Sequence, residues 1–244
     1  MGRFTKRILM DNPFNFFDKI FYINLDSRTD RREFMEEQFK KFNIDAERFS
    51  AISLTKEQND DLVRRGCNFY DDPRPNYAPR IKSCTISHIS VLLRGKMMDY
   101  ENILILEDDA LIDDNIIKDL DSCVNDLKNK EWDMFYLGCN PLEYFKETEN
   151  IGRVLRTTTN HAYSINRRFY DRILTNSNFF RRYPCNDGYY GGLGRDKNNK
   201  IYMALKNLVT QKESFSDIEG QDVNYTYSIN DKYKYNIIEK PEGW

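Results

Sequence analysis

The chain has 244 residues, 40% hydrophobic and 31% charged, a balance that suits a packed globular protein and excludes a disordered one. That length accommodates one large α/β domain or two small ones. Its 37 basic and 39 acidic residues leave a net charge of −2, which argues against a nucleic-acid binder. No apolar run approaches the roughly 20 residues that a transmembrane helix needs.

The N-terminus, "MGRFTKRILMDNPFNFF", carries basic residues, but Asp11, Asn12 and Pro13 interrupt the apolar core of a signal peptide. The expectation is a cytoplasmic or otherwise soluble protein. Five cysteines (Cys67, Cys84, Cys123, Cys139, Cys185) are scattered with no CxxC pair, so reduced thiols are expected in place of a zinc site or disulfide framework.

In chain order, "KIFYINL" (19–25) is apolar, β-rich and ends at a turn. "TDRREFMEEQFKKF" then sets Phe34, Met35, Phe39 and Phe42 on one helical face. "ERFSAIS" (47–53) predicts a second strand, and residues 56–79 a short helix followed by a long loop holding Pro73, Pro75 and Pro79. A helix follows over "IKSCTISHISVLLRGKMM", with Ile81, Cys84, Ile89, Leu92, Leu93 and Met97 as its apolar face. After the strand "ILILE", Ile116, Ile117, Leu120, Val124 and Leu127 mark another helix, and "WDMFYLG" another strand. "VLRTTTNHAYSIN" predicts a pair of strands, and "RRFYDRIL" a helix.

This alternation implies an α/β fold with a mostly parallel sheet and helices on both faces. Residues 1–17 form a lead-in, 18–220 a single domain and 221–244 a C-terminal tail packed on or beside it. Ligands of such sheets sit at the carboxyl ends of the strands, where both "YINLDSR" and "ILILEDD" place polar residues.

Three consecutive acids, Glu107, Asp108 and Asp109, close a buried strand in "ENILILEDDALI". Strand alternation would set Glu107 and Asp109 on one face and Asp108 on the other. Two converging carboxylates make a hard oxygen site suited to Mg2+ or Mn2+, able to hold a diphosphate. The same letters also allow Asp108 and Asp109 to cap the following turn and helix. A phosphoacceptor receiver domain, which begins with such a strand, is excluded by the hundred or so preceding residues and by the Gly138 that ends "WDMFYLG". Arg28, Arg31 and Arg32, just beyond the first strand, suit an anionic phosphate. They could equally pair with Asp30, Glu33 and Glu36 along an exposed helix, the reading preferred for Arg31. His88 and His161 are the only histidines, and a lone histidine of this kind is more often a packed or capping residue than a ligand contact.

The segments "FYINLDSRTDRRE", "SCTISHISVLLRG", "ILILEDDALI", "NHAYSINRRFYDRIL" and "VTQKESFSDIEG" occur in the order and rough spacing of glycosyltransferase family 25, which the chain resembles over residues 18–220. That family includes bacterial lipopolysaccharide glycosyltransferases and collagen hydroxylysine galactosyltransferases. The resemblance implies a GT-A, Rossmann-like fold, a UDP-sugar donor such as UDP-galactose or UDP-glucose, Mn2+ (or Mg2+), and inversion at the anomeric carbon. The acceptor would be a glycan, a lipid-linked glycan or a hydroxylysine-bearing protein.

By position, the resemblance sets Asn24, Leu25 and Arg28 in the uridine pocket with Arg32 nearby. It sets Glu107 and Asp109 at the metal, and Asp108 at the ribose or donor sugar. Ser87 and His88 fall in a Ser-His element and His161 in a His-Ala-Tyr element. Asp187, in "YPCNDGYYGG", falls where the family places an acid and is the expected catalytic base, although an ordinary Asn-Asp-Gly turn fits the letters as well. Asp217 is the second candidate. With no histidine after residue 161, the third protein ligand could be Asp217, Gln211 or water. A non-catalytic carbohydrate-binding or assembly protein is the alternative, whereas a phosphotransfer enzyme lacks its GxxxxGK[ST] loop.

Overall fold

The computed structural model describes residues 12–66, 77–175, 185–224 and 237–244. The loop expected around Pro73 and Pro75, together with Cys67, lies outside them. A six-stranded sheet organises the chain in the order β2-β1-β3-β6-β5-β7. Its strands are β1 (Lys19–Asn24), β2 (Ala46–Ser50), β3 (Asn102–Glu107), β5 (Met134–Lys146), β6 (Ile151–Asn166) and β7 (Ile201–Ala204). β1 pairs in parallel with β2 and β3, and β5 with β7, while β6 runs antiparallel between β3 and β5. Every strand but β6 therefore points the same way, which gives the mainly parallel sheet expected.

Alternation along the strands builds two cores. Ile20, Tyr22, Leu104 and Leu106 face one side, where helix α1 (Thr29–Phe42) contributes Met35, Phe39 and Phe42, and helix α4 (Ile116–Leu127) contributes Ile116, Leu120 and Val124. Phe21, Ile23, Ile103 and Ile105 face the other, where helix α3 (Tyr77–Met97) contributes Val91 and Leu92, and helix α5 (Tyr170–Leu174) Tyr170 and Ile173. Both faces are covered, and β3 accordingly reads as a continuous apolar run, with Ile103, Leu104 and Ile105 all fully buried. Truncating any of these to alanine would cost about 2–5 kcal/mol.

Helix α2 (Lys56–Arg64) closes the predicted list in the N-terminal half; its start is fixed by a capping box between Thr55 and Gln58. Phe14 and Phe17 are core residues, so packing begins inside the segment expected as a lead-in. Two further ribbons complete the fold. β4 (Ala110–Ile112) pairs with β8 (Val209–Gln211), and β9 (Ser214–Ser216) pairs with β10 (Gln221–Val223), a hairpin that runs across residue 220. At the C-terminus, the Trp244 ring packs edge-on against Phe145.

Two expectations are corrected here. "VLRTTTNHAYSIN" is not a pair of strands but the greater part of the single 16-residue β6. It bends instead of breaking, because its first residues pair with β5 and β7 and its last with β3 and β5. Helix α3 buries only part of the face that its apolar residues mark: Ile81 and Leu92 are buried and Ile89 packs on the core. Leu93 and Met97 are 47% and 76% exposed, whereas Ser83, Ser87 and His88 are buried. The helix turns a polar stripe inward because it lies over the end of the sheet where the acids gather.

Candidate active site

β3 ends at Glu107, and Asp108 and Asp109 form a turn into β4. Strand alternation therefore does not govern the two aspartates, and both face Arg31. Its Nη1 lies 2.6 Å from Asp108 Oδ1 and 3.3 Å from Asp109 Oδ2, and its Nη2 donates to Ser214 Oγ (2.8 Å) and the Phe215 carbonyl (2.9 Å). The exposed-helix pairing preferred for Arg31 is thus overturned: α1 begins at the carboxyl end of β1, and Arg31 points across the strand ends to the acids.

The other arginines separate. Arg28 Nε and Nη2 grip Asp30 (2.9 and 2.8 Å), while its Nη1 reaches Asp217 Oδ2 at 2.5 Å. The β9–β10 hairpin is thereby tied over the same strand ends by two guanidinium groups. Arg32 lies on the exposed face of α1, paired with Glu36 at 2.8 Å, and takes no part in the cluster. Asn24, buried at the end of β1, donates to Asp108 Oδ2 (2.8 Å) and to the Arg28 carbonyl (3.0 Å), locking the acid turn to the start of α1. The half-buried Leu25 follows it, and its carbonyl accepts from the Arg28 amide.

Ser87 and His88 divide their labour. Ser87 Oγ donates to the Ser83 carbonyl and accepts from the Ile52 amide, pinning α3 to the segment after β2. His88 is fully buried, with Nδ1 2.8 Å from the Tyr163 hydroxyl and Nε2 3.3 Å from Glu107 Oε1, although Nε2 makes no hydrogen bond among the described residues. Burial pulls the His88 pKa down to about 4, so the ring is neutral. Cys84, one helical turn earlier, brings its Sγ to the same place: the Cys84, His88 and Glu107 ligand atoms all lie within 4.8 Å of one another. Sequence reading found no such grouping, yet a Cys-x3-His spacing on a helix puts both side chains on one face and was visible in the letters.

His161 sits elsewhere. It is fully buried in β6, and its Nε2 donates to the Val209 carbonyl (3.0 Å), holding β8 against the sheet. Burial lowers its pKa to about 4 as well. Gly138 makes this approach possible, since a Cβ there would stand 1.9 Å from the Val209 carbonyl oxygen and 2.5 Å from His161 Nε2. β8 in turn sets Gln211 opposite Ala110, beside Asp109. Asp109 Oδ1 and Gln211 Oε1 are both buried without hydrogen-bond partners among the described residues.

Asp187 opens the short helix α6 (Asn186–Tyr190) and joins the cluster. Burial, and then the negative charge of Glu107, raises its pKa to about 7, with His88 pulling the other way. Glu107 is raised by burial and by Asp109 and Asp108, and Asp109 by burial. Gly191 fixes the helix, because a Cβ there would meet the Thr157 carbonyl oxygen at 2.1 Å. Three carboxylates and a thiol thus share a half-buried space in which Arg31 is the counter-charge nearest the acids. Asp217 stands apart from them across the hairpin, paired with Arg28.

An acidic cluster at the carboxyl ends of a mainly parallel sheet, faced by arginines, is the arrangement of a site for anionic ligands in an α/β fold. The family model described as glycosyltransferase family 25 (LPS biosynthesis protein) matches residues 17–232, and the chain belongs to that family. Among curated proteins it is 31% identical over 127 residues to a glycosyltransferase 25 family member of Drosophila melanogaster, covering 50% of this chain and 21% of that protein. It is 28% identical over 130 residues to procollagen galactosyltransferase 1-B of Xenopus laevis, again 50% of this chain and 21% of the relative. The chain thus spans about a fifth of the length of these relatives. A mouse xyloside xylosyltransferase 1 structure superimposes loosely, with a TM-score of 0.38 at 9% identity over 74% of this chain and 69% of that one. No helix among the described residues is long and apolar enough to cross a membrane.

Proposed function

We propose that the chain is an inverting glycosyltransferase that moves a hexose, galactose or glucose, from a UDP-sugar to a hydroxyl of a glycan or protein acceptor. The observation that carries this reading is the meeting of Glu107, Asp109 and Asp187 at the strand ends beneath Arg28 and Arg31. The names of the frog relatives favour galactose as the sugar and a hydroxyl-bearing protein as the acceptor.

The residues fit a hard divalent ion, Mn2+ or Mg2+. Glu107 and Asp109 supply carboxylates, and the orphaned Oε1 of Gln211 beside Asp109 makes it a better third ligand than Asp217, which is ion-paired. Such an ion would supply charge neutralisation to a diphosphate leaving group.

The chain's own groups account for the rest. Arg31 and Arg28 are placed for phosphate oxygens in the space that Asp108, Asp217 and the hairpin carbonyl now share. Asp108, held by Asn24 and Arg31, orients the donor from the side. The acceptor hydroxyl oxygen attacks the anomeric carbon as the bond to the diphosphate oxygen breaks, and its proton passes to Asp187. A carboxylate with a pKa near 7 is a stronger base than an exposed aspartate and still ionises at neutral pH.

The test is release of UDP from UDP-galactose and UDP-glucose, with Mn2+ or with chelator, by the wild type and Asp109→Asn. The reading predicts metal-dependent release that the variant loses. Absent release with either donor, together with unchanged nucleotide binding by Asp109→Asn, would leave a carbohydrate-binding or assembly protein instead.

A further inference from the structure

We infer that Cys84, His88 and Glu107 form a second cation site, chemically distinct from the oxygen-lined one, that takes a borderline-soft transition ion of the Zn2+ class. The three ligand atoms already lie within 4.8 Å of one another, contributed by one helical face of α3 and by the last residue of β3. Thiolate, imidazole and carboxylate are the ligand types that bind zinc, and a three-residue set leaves a fourth position open. Thiolate and imidazole also discriminate against Mn2+ and Mg2+, which prefer all-oxygen shells.

His88 provides the independent observation. Its ring is 1% exposed, its Nδ1 is engaged by the Tyr163 hydroxyl at 2.8 Å, and its Nε2 has no hydrogen-bond partner among the described residues. A buried imidazole whose Nδ1 is held by an outer hydroxyl and whose Nε2 is bare is oriented as a metal ligand, and an ion on Nε2 would select the tautomer in which Nδ1–H donates to Tyr163. An unpaired ring nitrogen held 3.3 Å from a carboxylate oxygen and beside a thiol is costly, and an ion between them removes that cost. Binding displaces to solvent the Cys84 thiol proton and the proton that burial holds on Glu107, so the site carries two formal negative charges against the ion's two positive ones.

Glu107 is common to this set and to the oxygen-lined set, so a zinc-class ion here would withdraw it from the donor-side cation. Zinc is then expected to inhibit transfer in the wild type more than in Cys84→Ser.

The inference stands on geometry and does not need the transfer reading. Its test is titration of the full, chelator-stripped chain with Co2+ in the absence of any sugar nucleotide. One equivalent should bind with a thiolate-to-cobalt charge-transfer band that Zn2+ abolishes. The band should vanish in Cys84→Ser, with the fold checked by circular dichroism, and persist in Asp109→Asn. Tyr163→Phe should weaken Zn2+ binding at least about tenfold. A wild type with no thiolate band overturns the inference, and so does a band that survives Cys84→Ser or disappears with Asp109→Asn. Loss of UDP release has no bearing on the spectrum, so the two readings fail separately.

Discussion

Arg31 and Asp108 stand 77 residues apart in sequence and 2.6 Å apart in space, and the same guanidinium reaches Asp109 at 3.3 Å. One side chain therefore holds the acid turn together before any ligand arrives. Removing one partner of a largely buried ion pair leaves the other charge uncompensated. Arg31→Gln should lose about 3 kcal/mol at neutral pH by denaturant unfolding. The loss should shrink as pH falls, because burial already raises both acids and the orphaned carboxylates take up protons more readily still; a loss independent of pH would contradict the pairing.

Gly138 and Val209 fix the position of β8. Because an added Cβ would fall 1.9 Å from the Val209 carbonyl oxygen, Gly138→Ala must displace the strand that carries Gln211. The expected cost is about 3 kcal/mol of stability. If Gln211 completes the oxygen-lined cation site, Mn2+ affinity should fall in this variant and in Gln211→Ala alike; calorimetric titration decides it.

Asp187 predicts a pH profile. A base must be ionised, so kcat/KM should rise with pH through an apparent pKa near 7, not near 4. Asp187→Asn should lower kcat by at least about a hundredfold while leaving donor binding intact. Stability has the opposite sign. Between the unfolded value of 3.8 and the folded value of about 7, the folded chain holds a proton that the unfolded chain has lost. Folding free energy therefore declines as pH rises through that window, and Asp187→Asn should flatten the decline in thermal melts.

Thr159 is β-branched yet has a φ of +63°, and Asn160 beside it is buried with neither side-chain amide atom hydrogen-bonded among the described residues. Since Leu106 pairs with Ala162, this kink lies just past the strand end that bears Glu107. Thr159→Gly should stabilise the protein by about 1 kcal/mol. Asn160→Ala should leave stability unchanged or higher but raise KM for donor or acceptor, the trade expected of a polar group kept for a ligand. Steady-state kinetics beside melting curves would show whether the two effects part.

The fold was legible where periodicity reports burial. Helix α1 covers the predicted "TDRREFMEEQFKKF", and the predicted apolar residues of α4 meet the sheet, because both helices pack on an apolar face. Helix α3 was legible only in part: Ile81 and Leu92 do face inward, but beside them lie Ser83, Ser87 and His88, which a hydrophobic pattern scores as surface. The acids at the end of β3 were readable from their cost alone. Arg31 was not, because local letters offered it Glu33 and Glu36, while its partners lie on β3's turn and on Ser214, far along the chain. The Cys84–His88 pairing needed only the helical repeat, but its third member, Glu107, depends on how α3 lies across the sheet.

The placement of β6 sets the order in which the site can be assembled. It inserts antiparallel between β3 and β5, so the sheet around Glu107 is unfinished until residue 166 has been made. Gln211 and Ser214 follow later still, on segments that dock on β4 and Arg31 as well as on His161 of β6. During synthesis the acids emerge with Arg31 already available to neutralise them, well before the residues that complete the ligand shells. The arginine bond thus joins groups that are all made by residue 109, whereas the ligand shells close only with segments made after β6.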